Sequence, residues 1–381
     1  MSVLGPTAER RAQRAREGPA RGVGAPASDR VGFGATPRLK MIQRIQTIDA
    51  HAAGEPLRLV TGGFPTPVGE TMLEKRDWVR EHCDALRRAL MNEPRGHADM
   101  YGAVLTEPCA AAAHAGVLFM HNEGYSTMCG HGVIAVCTIA LERGLISVAD
   151  ESDGVVLESP AGIVRARVTG TPSTGRPSGA TGTRVHGVAF ENVPSFVLRA
   201  GVPVSIGDRG VRVDVAFGGA FYAIVDSEAV GIPIRREALG RLRRAGMEIA
   251  RAVEAAVRVV HPIEPGIGGV YGTVFTGMAE RAEADLRNVT VFAGEQVDRS
   301  PCGTGTAAVM AVLDAMGLLA SDHPFVHESI VGTLFRGTVC RRTEVGDHAA
   351  IVPQIEGSAW ITGEHTFLID DDDPLKEGFL L

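Results

Sequence analysis

The 381-residue chain has no run of 18 or more apolar residues, so no stretch of it is long enough to cross a bilayer as a helix. It also has no excess of basic charge. Its 38 Lys and Arg stand against 45 Asp and Glu, a net charge of −7, with a pI near 6.0. That leaves no field to hold nucleic acid or an anionic membrane. Cysteine is scarce and scattered: Cys83, Cys109, Cys129, Cys137, Cys302 and Cys340 form no CxxC pair and no matching CxxH cluster. This argues against a zinc site or a disulfide framework and for reduced thiols in the cytoplasm. Neither GxGxxG nor GxxxxGK[ST] opens a helix in a βαβ setting, so nothing supports a nucleotide cofactor.

What is present is an ordinary soluble composition, 45% hydrophobic and 22% charged, over a length that suggests about two domains. Residues 1–40 carry seven Arg and one Lys against three acids, with few large apolar residues. Such a segment reads as a disordered extension. Met41 as the true start is the alternative, ahead of a targeting peptide, since Ser content and apolar periodicity are lacking. From Met41 onward short alternating runs are separated by turns. A helix is expected over residues 71–92, where Met72, Trp78, Val79, Leu86 and Leu90 recur at helical spacing. Another is expected over Arg235 to His261. Residues 169–184, mostly Thr, Ser, Gly and Pro, read as a surface loop. The pattern is α+β.

Two stretches share one design. Met128-Cys129-Gly130-His131-Gly132 and Asp298-Arg299-Ser300-Pro301-Cys302-Gly303-Thr304-Gly305 are each followed by small and apolar residues. Each reads as a thiol at a helix N-terminus. Such a position offers free backbone N–H groups and partial positive charge, which lowers a thiol pKa and grips a carboxylate. Gly130, Gly132, Gly303 and Gly305 let a ligand approach the backbone. With both helix starts on one crevice between two similar halves, one thiolate removes an α-proton and the other thiol serves the opposite face of the same carbon. A single Cys at a Gly-rich helix start is more often a small hydrophobe than a catalyst, which is how Cys83, Cys109, Cys137 and Cys340 read. The duplicated pattern turns that argument round for Cys129 and Cys302. Asp298 reads either as a turn former or as a partner for a substrate nitrogen. His131 reads as a structural histidine or, from its place in the motif, as a ligand contact. A thiol hydrolase would need an oriented His, which no motif supplies. A binding protein would need the cradle but not two thiols.

These motifs resemble the proline racemase family, which also holds hydroxyproline 2-epimerases and trans-3-hydroxy-L-proline dehydratases. Asp49-Ala50-His51 with Gly54-Glu55-Pro56, Asn192-Val193-Pro194-Ser195-Phe196 and Gly218-Gly219-Ala220-Phe221-Tyr222 add to the resemblance, which covers about Met41 to the C-terminus. Ala52-Ala53 stands where the family has Thr-Gly. The resemblance implies a diaminopimelate epimerase-like fold: two pseudo-symmetric strand-rich barrel halves, each around a central helix, with the active site between them. It places residues 41–195 in the first half with a returning strand in 358–381, and 196–357 in the second. It implies Cys129 and Cys302 as acid/base thiols, Gly130, His131, Gly303 and Thr304 as carboxylate binders, and Asp298 at the substrate nitrogen. It further implies a cyclic imino acid substrate, no cofactor or metal, and a homodimer. Glu93-Pro94-Arg95-Gly96-His97, His121-Asn122-Glu123-Gly124-Tyr125 and Asp371-Asp372-Asp373-Pro374-Leu375 look most like the dehydratase branch. That branch typically has Thr where this chain has Cys302. The expectation is therefore dehydration of 3-hydroxyproline to pyrroline-2-carboxylate, 2-epimerisation, or both, with 4-hydroxyproline epimerase or proline racemase as the alternative.

Overall fold

The computed structural model describes residues 42–147, 154–173, 182–319 and 323–381; the segment 1–40, read above as a disordered extension, lies outside them. The first run of elements is β1 (Ile42–Ala52), β2 (Glu55–Gly62), α1 (Met72–His82), α2 (Asp84–Met91), β3 (Tyr101–Thr106), β4 (Ala115–His121), β5 (Gly124–Ser126), α3 (Gly130–Arg143), β6 (Val155–Ser159), β7 (Gly162–Ser173), β8 (Gly182–Glu191) and β9 (Ser195–Ile206). The second run is β10 (Arg209–Phe217), β11 (Phe221–Asp226), α4 (Ser227–Val230), α5 (Leu239–Ala256), β12 (Gly272–Gly277), β13 (Leu286–Phe292), β14 (Gln296–Asp298), α6 (Gly303–Ala315), β15 (Phe325–Glu328), β16 (Leu334–Val345), β17 (His348–Gly357) and β18 (Ala359–Asp370).

Strand pairing repeats with a shift of nine strands. Where β1–β2 is antiparallel, β2–β3 parallel, β3–β4 antiparallel and β4–β6 parallel, so are β10–β11, β11–β12, β12–β13 and β13–β15. The last strand of each run crosses over: β9 pairs with β10 and β17, and β18 returns to β1. One further ladder, β8 with β17, joins the two halves.

Each half wraps one helix. α3 is buried on nearly every side, its Val133, Ile134, Val136 and Ile139 fully so. A helix apolar all round must be enclosed rather than laid on a surface. It packs against β1, β2, β8 and β18, while α6 packs against the equivalent β10, β11, β17 and β9. α3 stops at Gly144, whose left-handed φ of 67° lets its N–H cap the last turn.

Local expectations are corrected in three places. The helix over 71–92 breaks at Cys83, whose non-helical φ of −125° and ψ of 8° separate α1 from α2. The helix expected to run from Arg235 to His261 is a short 3-10 turn over Arg236–Ala238 followed by α5, which ends at Ala256. The loop expected over 169–184 is strand at both margins, because β7 and β8 pair from Arg165↔Glu191 out to Ser173↔Gly182; residues 174–181 lie outside the described residues.

Candidate active site

α3 and α6 begin alike. Cys129 is the N-cap of α3 and its Sγ accepts from the Gly132 N–H at 3.2 Å. Cys302 caps α6 and its Sγ accepts from Gly305 N–H at 3.3 Å. The thiols thus do what Ser or Asp does at other helix starts. The two starts meet backbone to backbone: a Cβ added at Gly130 would lie 2.5 Å from Gly303 Cα, and one at Gly303 would lie 2.7 Å from Gly130 Cα. At Gly132 and Gly305 an added Cβ would come within 2.9 Å of the adjacent thiol. Only glycine fits these four positions.

All seven residues singled out from the sequence, Cys129, Gly130, His131, Asp298, Cys302, Gly303 and Thr304, line one cavity between the halves. It is narrow. The centre of a water molecule finds about 10 Å³ there, room for about one water. A five-membered ring enters only if the halves part.

Burial dominates the electrostatics. The expectation of thiols with lowered pKa is corrected: burial pushes Cys302 up to about 12 and Cys129 well above the thiol range. The N–H donors of Gly132 and Gly305 act in the lowering direction and lose to desolvation. A thiolate therefore forms only with a compensating positive charge in the cavity, such as a substrate ammonium. Asp298, at the end of β14, has Oδ1 bonded by the Ser300 N–H at 2.8 Å and its Oγ at 2.7 Å. Burial still raises its pKa to about 6. His131 lies 3.2 Å from Cys129 Sγ through Nδ1, and the same Nδ1 is 3.8 Å from Asp298 Oδ2. The same Sγ lies 3.5 Å from Nε2, so the thiol touches both ring nitrogens. A Cys-His-Asp relay also needs the carboxylate hydrogen-bonded to the ring, and 3.8 Å is too long for that. Burial and the Arg299 charge lower the His131 pKa to about 3, so the ring is neutral.

Sequence reasoning missed the aromatic walls. Tyr101, Tyr222, Tyr271 and Phe292 line the cavity. Tyr222 Oη bonds Thr304 Oγ1 at 2.6 Å and lies 3.7 Å from Cys302 Sγ. Tyr271 stacks on Phe292 with centroids 5.3 Å apart. The chain has only four tyrosines, and three of them are here, so their scarcity was the available signal. Also missed is Glu55, fully buried, which accepts the Arg299 N–H at 2.7 Å across the two halves and so holds the loop that follows Asp298.

Behind Cys302 sits a buried polar cluster. The Pro301 carbonyl accepts from Asn288 Nδ2 at 2.6 Å and from Thr306 Oγ1 at 3.0 Å. Asn288 Nδ2 also lies 2.9 Å from His327 Nδ1. Thr306 Oγ1 lies 2.9 Å from the same His327 Nδ1, so the imidazole is tied to both side chains that hold the carbonyl. The cluster pins the peptide just before Cys302, a non-glycine residue held at a φ of 61°, a conformation that persists only when its surroundings enforce it.

The family model described as proline racemase matches residues 47–380. A trans-3-hydroxy-L-proline dehydratase of Bacillus cereus is 48% identical over 343 residues, 90% of this chain and 100% of the relative. A proline racemase of Clostridioides difficile is 42% identical over 344 residues, with the same coverage of both chains. Among solved structures, a hydroxyproline epimerase from Agrobacterium vitis with bound trans-4-hydroxy-L-proline superposes with a TM-score of 0.79 at 31% identity, covering 90% of this chain and 97% of that one.

Proposed function

The chain belongs to the proline racemase family, and on that footing we propose that it is a trans-3-hydroxy-L-proline dehydratase, forming pyrroline-2-carboxylate, with a 2-epimerase capacity that needs no cofactor. The observation that carries the reading is the pair of thiols capping two helices that abut at one cavity. The substrate carboxylate sits on the free N–H groups of the two helix starts, contributed by Gly130, His131, Gly303 and Thr304. The ring nitrogen faces Asp298. Its positive charge draws the Cys129 thiol toward thiolate, which offsets burial. Cys129 then removes the C2 proton. With a 3-hydroxyl present the carbanion expels it to give a cyclic enamine; without one, Cys302 returns a proton to the other face.

A second reading, 4-hydroxyproline 2-epimerase or proline racemase, is favoured by one feature: the second thiol, Cys302, stands where a pure dehydratase needs no acid. We assign residues 41–195 with 358–381 to the first half and 196–357 to the second. We place the enzyme in the cytoplasm, since all six cysteines are free. The test incubates the protein with L-proline, trans-4-hydroxy-L-proline and trans-3-hydroxy-L-proline in deuterated water. Deuterium at C2 reports proton exchange, and a pyrroline trapped by an aminobenzaldehyde reports elimination. Exchange on the first two without elimination from the third selects the second reading. No reaction with any of them defeats both.

A further inference from the structure

Resting on the reading of Cys129 as the base, we propose that Tyr101, supported by Ser126 and Tyr271, is the acid that removes the ring hydroxyl, relaying the proton abstracted from C2 to the departing oxygen at C3.

The argument begins with the substrate's stereochemistry. In trans-3-hydroxy-L-proline the hydroxyl lies across the ring from the carboxylate, and therefore on the same face as the C2 hydrogen. The group that takes that hydrogen and the group that protonates the leaving oxygen must stand side by side. Cys302, on the opposite face, is excluded. Hydroxide is a poor leaving group, so a proton donor on the Cys129 face is required.

Two side chains stand beside Cys129 in the cavity. His131, its pKa lowered to about 3 by burial and the Arg299 charge, is neutral and has no imidazolium proton to give. The other is Tyr101, which lines the same cavity as Cys129 and whose ring meets His131 edge-on with centroids 4.7 Å apart. The Tyr101 hydroxyl is bonded to Ser126 Oγ and lies 3.4 Å from Tyr271 Oη, and Ser126 Oγ lies 3.1 Å from Tyr271 Oη. Three hydroxyls in a closed ring each donate once and accept once. Any one of them can turn its proton to a ligand and still accept from a neighbour. Burial raises the pKa of both phenols, so they arrive protonated. Tyr101 and Ser126 come from the first half and Tyr271 from the second, so the ring bridges the halves and is complete in the closed arrangement.

The step balances without any further reactant. Cys129 thiolate takes the C2 proton and the electron pair of that C–H bond becomes the C2–C3 double bond. The C3–O bond breaks, and the oxygen leaves as water with the Tyr101 proton. The Cys129 thiol, in the same cavity as the phenolate, returns its proton there and is thiolate again. The hydrogen lost from C2 thus replaces the one Tyr101 gave to water. The cis isomer of the L-substrate, with its hydroxyl on the far face, is out of reach of Tyr101.

The test compares Tyr101→Phe with the unaltered protein in two assays: pyrroline formation from trans-3-hydroxy-L-proline, and C2 deuterium exchange on L-proline, which has no leaving group. Pyrroline formation is expected to fall about 100-fold more than exchange. Tyr271→Phe, which thins the ring from the other half, is expected to show the same split at about 10-fold and serves if Tyr101→Phe melts early. An equal fall in both assays for both variants would overturn the proposal, leaving the tyrosines as mere supports of Cys129. Absence of exchange by the unaltered protein on every imino acid would remove the base, and with it this acid.

Discussion

The contact between Gly130 and Gly303 offers a test of whether abutting helix starts set the distance between the thiols. In Gly130→Ala the new methyl would lie 2.5 Å from Gly303 Cα and 3.0 Å from its carbonyl carbon. Ordinary contact begins at 3.4 Å, so the overlap is 3.4 − 2.5, about 0.9 Å. The obstructing atoms are backbone, and no rotamer change relieves them. The helix starts must separate by close to that amount, and the thiols, each the residue just before its glycine, separate with them. A misplacement of about 1 Å costs on the order of 100-fold in rate, and overpacking a well-filled interior costs about 1–3 kcal/mol of stability. We expect kcat/KM for C2 deuterium exchange on L-proline and for pyrroline formation to fall together by about 100-fold. A drop in one activity alone would point to a lost contact rather than a widened gap. Gly210→Ala is the control, since a methyl there meets nothing within 4 Å, and should match the unaltered protein. Gly130→Ala keeping activity within about twofold of that control would refute the reasoning, because the thiols would then be positioned independently of where the helices touch.

Cys129→Ala is expected to abolish both reactions, whereas Cys302→Thr should suppress epimerisation of trans-3-hydroxy-L-proline and spare its dehydration; chiral chromatography and the pyrroline assay read the two, and equal loss would count against separate roles. Thr306→Val removes one of the two hydrogen bonds that hold the Pro301 carbonyl, and should cost about 1–2 kcal/mol by thermal or urea denaturation and reduce epimerisation about tenfold more than dehydration. Burial brings His121, His131 and His327 down to about 3 from 6.5. The unfolded chain therefore binds more protons between those values, and these groups contribute stability that is present above about 6.5 and lost as pH falls toward 3. Asp298, raised from 3.8 to about 6, and Glu55, raised well above 4.5, work the other way across their own windows, two groups against three. Tm should fall from pH 7.5 to pH 5, and a rise on acidification would contradict the assignment.

Much of the site is legible because its core is local. A thiol capping a helix through the third residue's N–H, with glycine at the first and third helical positions, is written within five residues each time, and the two copies lie 173 residues apart in one chain. The walls are not local. Tyr101 opens β3, Tyr222 lies in β11, and Tyr271 precedes β12, so no window of sequence holds two of them. The thiol pKa was misread for a related reason. The N-terminal effect can be seen in a short motif, but the desolvation that overrides it comes from strands far away in the chain. The break at Cys83 and the lengthened β7–β8 ladder show the same limit, since tertiary pairing decides where a propensity-neutral segment turns or extends.

The two halves are alike in topology and unlike where it matters for the reaction. In the β4–β5 ladder Phe119 faces Ser126 and His121 faces Gly124; in the β13–β14 ladder Thr290 faces Asp298 and Phe292 faces Gln296. Equivalent positions thus hold Ser126 in one half and Asp298 in the other. Two residues separate Ser126 from its thiol, but three separate Asp298 from Cys302. The additional residue goes with the backbone change: φ is −145° at Cys129 and 61° at Cys302. In the proposed reaction the pseudo-twofold arrangement supplies two thiols about one carbon, and symmetry alone would bind a ring equally well in two orientations. An acid proton on one side and a carboxylate at the matching place on the other distinguish the ring's oxygen from its nitrogen. In the proposed reaction, Asp298 turns the nitrogen to its own half, which brings the face carrying both hydrogen and hydroxyl to Cys129 and Tyr101.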